Sequence, residues 1–181
     1  MNMTMMRPMV LALGLSSVFG GAVAQEPMKP SGVAEALMAN DEKDFFETAA
    51  SSNMFEIQAS QLAMEKSTDP AIKKYAEQMV KDHQMANEKL QKLAESKNVT
   101  LPTTLLKRHQ AMLDDLKEEK AGKEFDEEYA DKMVMSHKEA VSLFDQTAKK
   151  GKDPEVKSFA ADMLPKLQKH GGMASKLEKK S

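Results

Sequence analysis

A chain of 181 residues with 26 Lys and Arg against 28 Asp and Glu is long enough for one domain, and too evenly charged for a nucleic-acid-binding surface. It has no cysteine, which excludes disulfides, thiolate nucleophiles and cysteine-based metal sites. Tryptophan is absent, aromatics are sparse, and Ala, Lys, Glu, Met and Leu dominate, a usage that favours helices over sheets.

The N-terminal segment stands apart. Arg7 precedes an apolar run from Met9 to about Val23, roughly 15 residues, which suits a signal-peptide core better than a membrane span. Ala22-Val23-Ala24 supplies a small-residue cleavage site, so residues 1–24 read as a signal peptide and the mature chain as starting at Gln25. No later stretch is apolar enough to cross a bilayer. The expected location is outside the cytoplasm, in a periplasm or peripherally on an outer membrane.

Residues 25–40, with Pro27, Pro30 and Gly32, read as a flexible lead-in to a bundle over 41–180. Asn40 and Asp41 are candidate caps for a first helix reaching about Lys66, with Phe45, Ala49, Ser52, Glu56, Ala59 and Ala63 on its inward stripe. Asp69-Pro70 starts the second helix, because the carboxylate accepts from orphan backbone N–H groups and proline loses only a donor without a partner. Ile72, Tyr75, Ala76, Met79, His83, Ala86, Leu90 and Leu93 then share one face.

After a helix end near Asn98, Pro102 opens a shorter helix with Leu105, Leu106, His109, Met112, Leu113 and Leu116 on one side, and Gly122 is its expected stop. His109 is placed at a surface or boundary. A third long helix carries Phe125, Tyr129, Met133, His137, Ala140, Phe144 and Ala148 in register and ends at Gly151. The last begins at Asp153-Pro154 and presents Val156, Phe159, Ala160, Met163, Leu167, His170, Ala174 and Leu177. Pro165 is expected to bend it, and Gly171-Gly172 to permit close approach or to end it at His170.

DPAIKKYAEQM and DPEVKSFAADM form a weak internal repeat. Two related helical hairpins joined by a long connection describe an all-α, ferritin-like four-helix bundle whose crossover contains the shorter helix. Each long helix places one ionisable residue on its inner seam: Glu56, His83, His137 and His170. At 1.5 Å per residue these four fall at heights of roughly 14 to 23 Å from one end in the ferritin-like order, and within about 11 Å of one another in a simple up-down-up-down order, so the clustering does not choose the topology. Three imidazoles and a carboxylate form a mixed set suited to one Zn, Fe, Cu or Mn ion. The alternative is a core network in which Glu56 accepts from the histidines. Asp82 and Asn87 are candidates to orient the ligands. Met79, Met133 and Met173, one turn from the histidines, open a Cu(I) reading, although methionine at helical spacing mostly fills a core.

The runs MVKDHQMANEKL, FDEEYADKMVMSH and LPKLQKH resemble an exported, ferritin-like domain-of-unknown-function family often labelled an outer membrane protein. The resemblance spans about residues 44–177 and implies an inward Glu and three inward His on a secreted or periplasmic bundle. Helices with these stripes do not build an outer-membrane barrel. Val80, Val134 and Leu167 stand three residues before His83, His137 and His170, so the Glu-x-x-His pairs of di-iron bundles are missing. One mononuclear ion fits better. There is no phosphate loop, nucleophile elbow or acid/base carboxylate pair, which points to non-catalytic metal binding or buffering, with a metal ion as partner. A structural or stress-related interaction protein is the alternative.

Overall fold

The computed structural model describes residues 32–179, with side chains from Glu42 onward; the expected signal peptide and the first part of the lead-in lie outside the described residues. Among these residues the chain is all-α: α1 Gly32–Lys66, α2 Pro70–Ser96, α3 Lys107–Glu118, α4 Lys123–Lys150 and α5 Pro154–Glu178. Among the described residues, no helix is long and apolar enough to cross a membrane.

α1 starts eight residues before Asn40, so the second half of the expected lead-in is helical and Asn40 and Asp41 lie inside the helix rather than capping it. Ala34, Glu35, Ala36, Leu37, Met38 and Ala39 are strong helix formers that carry the helix back toward Gly32. The two Asp-Pro starts behave as their chemistry requires. Asp69 accepts from the Ala71 N–H at 2.6 Å, and Asp153 from Glu155 and Val156 at 2.8 and 3.0 Å. Lys97, at the end of α2, reaches both Asp153 and Glu155 and pins that end to the start of α5.

Side-chain pairs fix the directions. Along α1 and α4, Ser60 meets Tyr129, Glu56 meets Ser136 and Phe45 meets Phe144, so the two helices are antiparallel. Along α2 and α5, Asp82 meets His170 and Lys97 meets Asp153, again antiparallel. With α1–α2 and α4–α5 as hairpins, α2 and α4 run the same way, which is the ferritin-like order with a crossover returning along the bundle.

The crossover helix begins at Lys107, five residues later than Pro102 suggests, where the Leu106 N–H donates to Ser51 Oγ at 2.8 Å. Its last carbonyls, on Leu116, Lys117 and Glu119, accept from the Lys66 ammonium at 3.3, 2.6 and 2.7 Å. Gly122 does not close α3. It sits at the start of α4 with φ +110°, a conformation open to glycine, and donates its N–H to Lys66 O.

The interior is divided in two. One apolar cluster gathers Phe55, Ile72, Tyr75, Met79, Leu116, Phe125, Tyr129 and Met133. The other gathers Phe45, Phe46, Leu90, Ala140, Phe144, Ala160, Met163 and Leu167. Between them on the four long helices lie Ser52, Asn53, Glu56, His83, Ser136, His137 and His170, all buried.

Candidate metal centre

The layer forms because each helix contributes its seam residue at the same height. Glu56 on α1 is fully buried, and His83 on α2, His137 on α4 and His170 on α5 are 4%, 1% and 1% exposed. The three ring centroids make a nearly equilateral triangle with sides of 5.4, 5.7 and 5.8 Å. One nitrogen from each ring lies within 4.8 Å of the other two. An ion at the centre of such a triangle stands within about 2.8 Å of each nitrogen, against about 2.0–2.1 Å for a formed bond, so shifts of under about 1 Å would close the site.

The outward nitrogens decide which atoms face the centre. His83 Nδ1 is 2.8 Å from Asn53 Oδ1, while Asn53 Nδ2 donates to the His83 carbonyl at 3.0 Å, which fixes the amide orientation. His137 Nδ1 lies 2.8 Å from the Met133 carbonyl, which can only accept. His170 Nε2 lies 2.9 Å from Asp82 Oδ2. Each outward nitrogen therefore donates its proton outward, and His83 Nε2, His137 Nε2 and His170 Nδ1 face inward. Those three nitrogens and Glu56 Oε2 are buried, and His137 Nε2 and His170 Nδ1 make no hydrogen bond among the described residues.

Glu56 is oriented the same way. Its Oε1 accepts from Ser136 at 2.6 Å and from Ser52 at 3.4 Å, leaving Oε2 for the centre. Oε2 stands 2.7 Å from His83 Nε2 and 3.6 Å from His137 Nε2. Burial alone would raise the Glu56 carboxyl, but His137, His83 and the Ser136 hydroxyl outweigh it and hold the group well below the usual carboxylate range. Burial and the neighbouring His83 push His170 down to about 4, against the upward pull of Asp82. At neutral pH His170 is thus uncharged, the form that donates a lone pair to a cation.

Asp82 does orient a ring, but His170 across the helix pair rather than the adjacent His83, and Lys166 holds its other oxygen at 3.0 Å. Asn87 instead lines a surface groove with Met54, Gln91 and Thr100. Asn53 and Ser136 went unrecognised in the sequence. Their signal was position: Asn53 is three residues before Glu56, and Ser136 adjoins His137.

His109 does not join the layer, but neither is it at the surface. It is fully buried, its ring stacked 6.1 Å from Phe55, with Ser51 Oγ at 2.7 Å and Glu139 Oε2 at 3.0 Å on its two nitrogens. The crossover lies on α1 and α4 and carries His109 inward. Met79 and Met133 are fully buried in an apolar cluster, and Met173 packs against it, so all three fill core space.

α5 runs unbroken through Pro165 and past Gly171-Gly172 to Glu178, so His170 stands on an intact helix rather than a frayed end. A Cβ at Gly171 would meet His137 Cβ at 3.2 Å, while at Gly172 it would meet nothing within 4 Å. The first glycine lets α5 approach the His137 ring; the second has no such contact.

No curated protein matches the chain. Among solved structures, CopM in the Cu(II)-bound form superposes with a TM-score of 0.64 over 76% of this chain and 95% of that one, at 18% identity. At that identity the likeness establishes the helical fold. The domain of unknown function DUF4142 matches residues 27–177, nearly the whole of the helical region, and the chain belongs to that family.

Proposed function

We propose that this chain is an exported helical bundle that binds a single transition-metal ion through Glu56, His83, His137 and His170, holding or buffering the metal rather than catalysing a reaction. The observation that carries this reading is the convergence of four buried polar atoms, one from each long helix, of which His137 Nε2 and His170 Nδ1 have no hydrogen-bond partner among the described residues and Glu56 Oε2 and His83 Nε2 have only each other. A buried polar atom left unpaired costs about 1–3 kcal/mol, so two beside a carboxylate call for a shared partner. The outward partners Asn53, Met133 O and Asp82 preset the ring nitrogens that a cation requires.

The competing reading is a metal-free polar network built on the close Glu56–His83 pair. It satisfies Glu56 Oε2 and His83 Nε2 with one shared proton at 2.7 Å. It leaves His137 Nε2 at 3.6 Å from the carboxylate, beyond hydrogen-bonding distance, and gives His170 Nδ1 no partner. The donor set, three imidazoles and one carboxylate, suits Zn, Cu, Fe or Mn. That CopM was solved with Cu(II) makes copper the first ion to try alongside zinc. Export rests on the Arg7–Ala24 signal-peptide pattern.

The test is metal loading of mature protein made without a histidine tag, followed by elemental analysis. We expect one equivalent of zinc or copper in the wild type and loss of stoichiometric metal in His83→Ala/His137→Ala, with helical circular dichroism retained. Stoichiometric binding by the double variant would move the site elsewhere.

A further inference from the structure

The spacing of the three rings carries information about the coordination shell. In a square plane two of three rings stand opposite each other, and one side of their triangle is about 1.4 times the others. The sides here are 5.4, 5.7 and 5.8 Å, so no two rings are opposed. With bonds of about 2.0–2.1 Å and ring centres about 1.1 Å beyond the nitrogens, a tetrahedral ion would hold the rings about 5.2 Å apart. One face of an octahedron would draw them to about 4.5 Å by the same arithmetic. The observed triangle stands nearer the tetrahedral value.

The fourth donor is limited to one oxygen. Glu56 Oε1 is taken by Ser136 and Ser52, which leaves Oε2 alone for the centre. The other polar side chains of the layer are committed as well. Asn53 spends both ends of its amide on His83, and the Ser52 hydroxyl is shared between Ser136 and Glu56. The layer therefore offers four donors and no fifth. Apolar side chains close it on both sides, Met79 and Met133 in one cluster, Ala140 and Leu167 in the other. All four inward atoms are shut off from solvent. Magnesium and manganese ions favour six oxygen-rich ligands and keep water among them, which this interior does not supply. Zinc in closed structural sites is complete with four protein donors.

We infer that the centre is a closed tetrahedral site of the structural zinc kind, which takes a four-coordinate ion and admits no external ligand. The inference rests on the metal site proposed above and adds the class of ion and the number of its ligands.

Cobalt(II) is the probe, because its visible absorption is intense in a tetrahedral field and weak in an octahedral one. Mature protein is titrated with cobalt(II), challenged with azide, and then titrated with zinc. The wild type should take up one equivalent with absorption roughly tenfold or more above that of the aqua ion, ignore azide, and lose its colour to one equivalent of zinc. His170→Ala, or His137→Ala should the first fail to fold, removes one donor and should change the spectrum, by loss of cobalt or by a new response to azide. A weak octahedral spectrum or an azide response in the wild type overturns the inference and leaves the metal site standing. So does an unchanged spectrum in a folded variant, or uptake of zinc or copper without cobalt. Uptake of no metal removes both.

Discussion

His83 and Glu56 show how the centre depends on single protons. With Nδ1–H given to Asn53, the neutral His83 ring presents only a lone pair to a carboxylate oxygen 2.7 Å away. Two lone pairs at that distance repel, so a proton lies between them unless a cation does. Acid should therefore work against the fold as well as against the metal. His170 titrates at 6.5 when unperturbed and at about 4 in the fold, so between these values the unfolded chain binds more protons and stability falls as the pH drops. Glu56, held below its ordinary 4.5, continues the loss in the same direction below that value. Urea unfolding of metal-free protein at pH 7 and pH 4.5 should show a loss on the order of 2 kcal/mol from His170, after allowing for screening near partly buried Asp82. A His170→Asn variant should lose most of that pH dependence.

At the scale of the helix, α5 carries two adjacent glycines with opposite expectations. Gly172 faces open space, so Gly172→Ala should stabilise the protein by roughly 0.5–1 kcal/mol through helix propensity. Gly171→Ala places a methyl 3.2 Å from His137 Cβ and should cancel that gain and lower metal affinity, because the ring it displaces belongs to the centre. Parallel urea and zinc titrations of the two variants check the contrast. The long helices were legible from their Asp-Pro starts and apolar stripes, since both signals are local. The start of α1 at Gly32 was not, because the loop signals Pro27, Pro30 and Gly32 adjoin and mask the helix-forming run Ala34–Ala39. The depth of His109 was equally hidden: it depends on Ser51, Phe55 and Glu139, partners distant in sequence that only the path of the crossover brings together.

In the whole molecule, two apolar halves press the polar layer from both sides. Phe55, Tyr129 and Met133 lie in one cluster and Phe144, Met163 and Leu167 in the other, which keeps water from pairing the inward lone pairs. The four seam residues could be named from sequence because a 1.5 Å rise per residue turns spacing into height. Which nitrogen of each ring faces inward could not, since Asn53, Met133 O and Asp82 decide it across helices or along a turn. The heights alone did not choose the topology, because both simple bundle orders put the four at similar levels; the long connection between the hairpins pointed to the ferritin-like order, and the α1–α4 pairs Ser60–Tyr129 and Phe45–Phe144 bear it out. The most direct measurement is anomalous diffraction from crystals of the mature protein grown with one equivalent of zinc or copper. A single peak enclosed by Glu56 Oε2, His83 Nε2, His137 Nε2 and His170 Nδ1, at about 2.0–2.2 Å from each, is the predicted result. An interior without a peak, or an ion held by surface residues while the four groups bond only to one another, would contradict it.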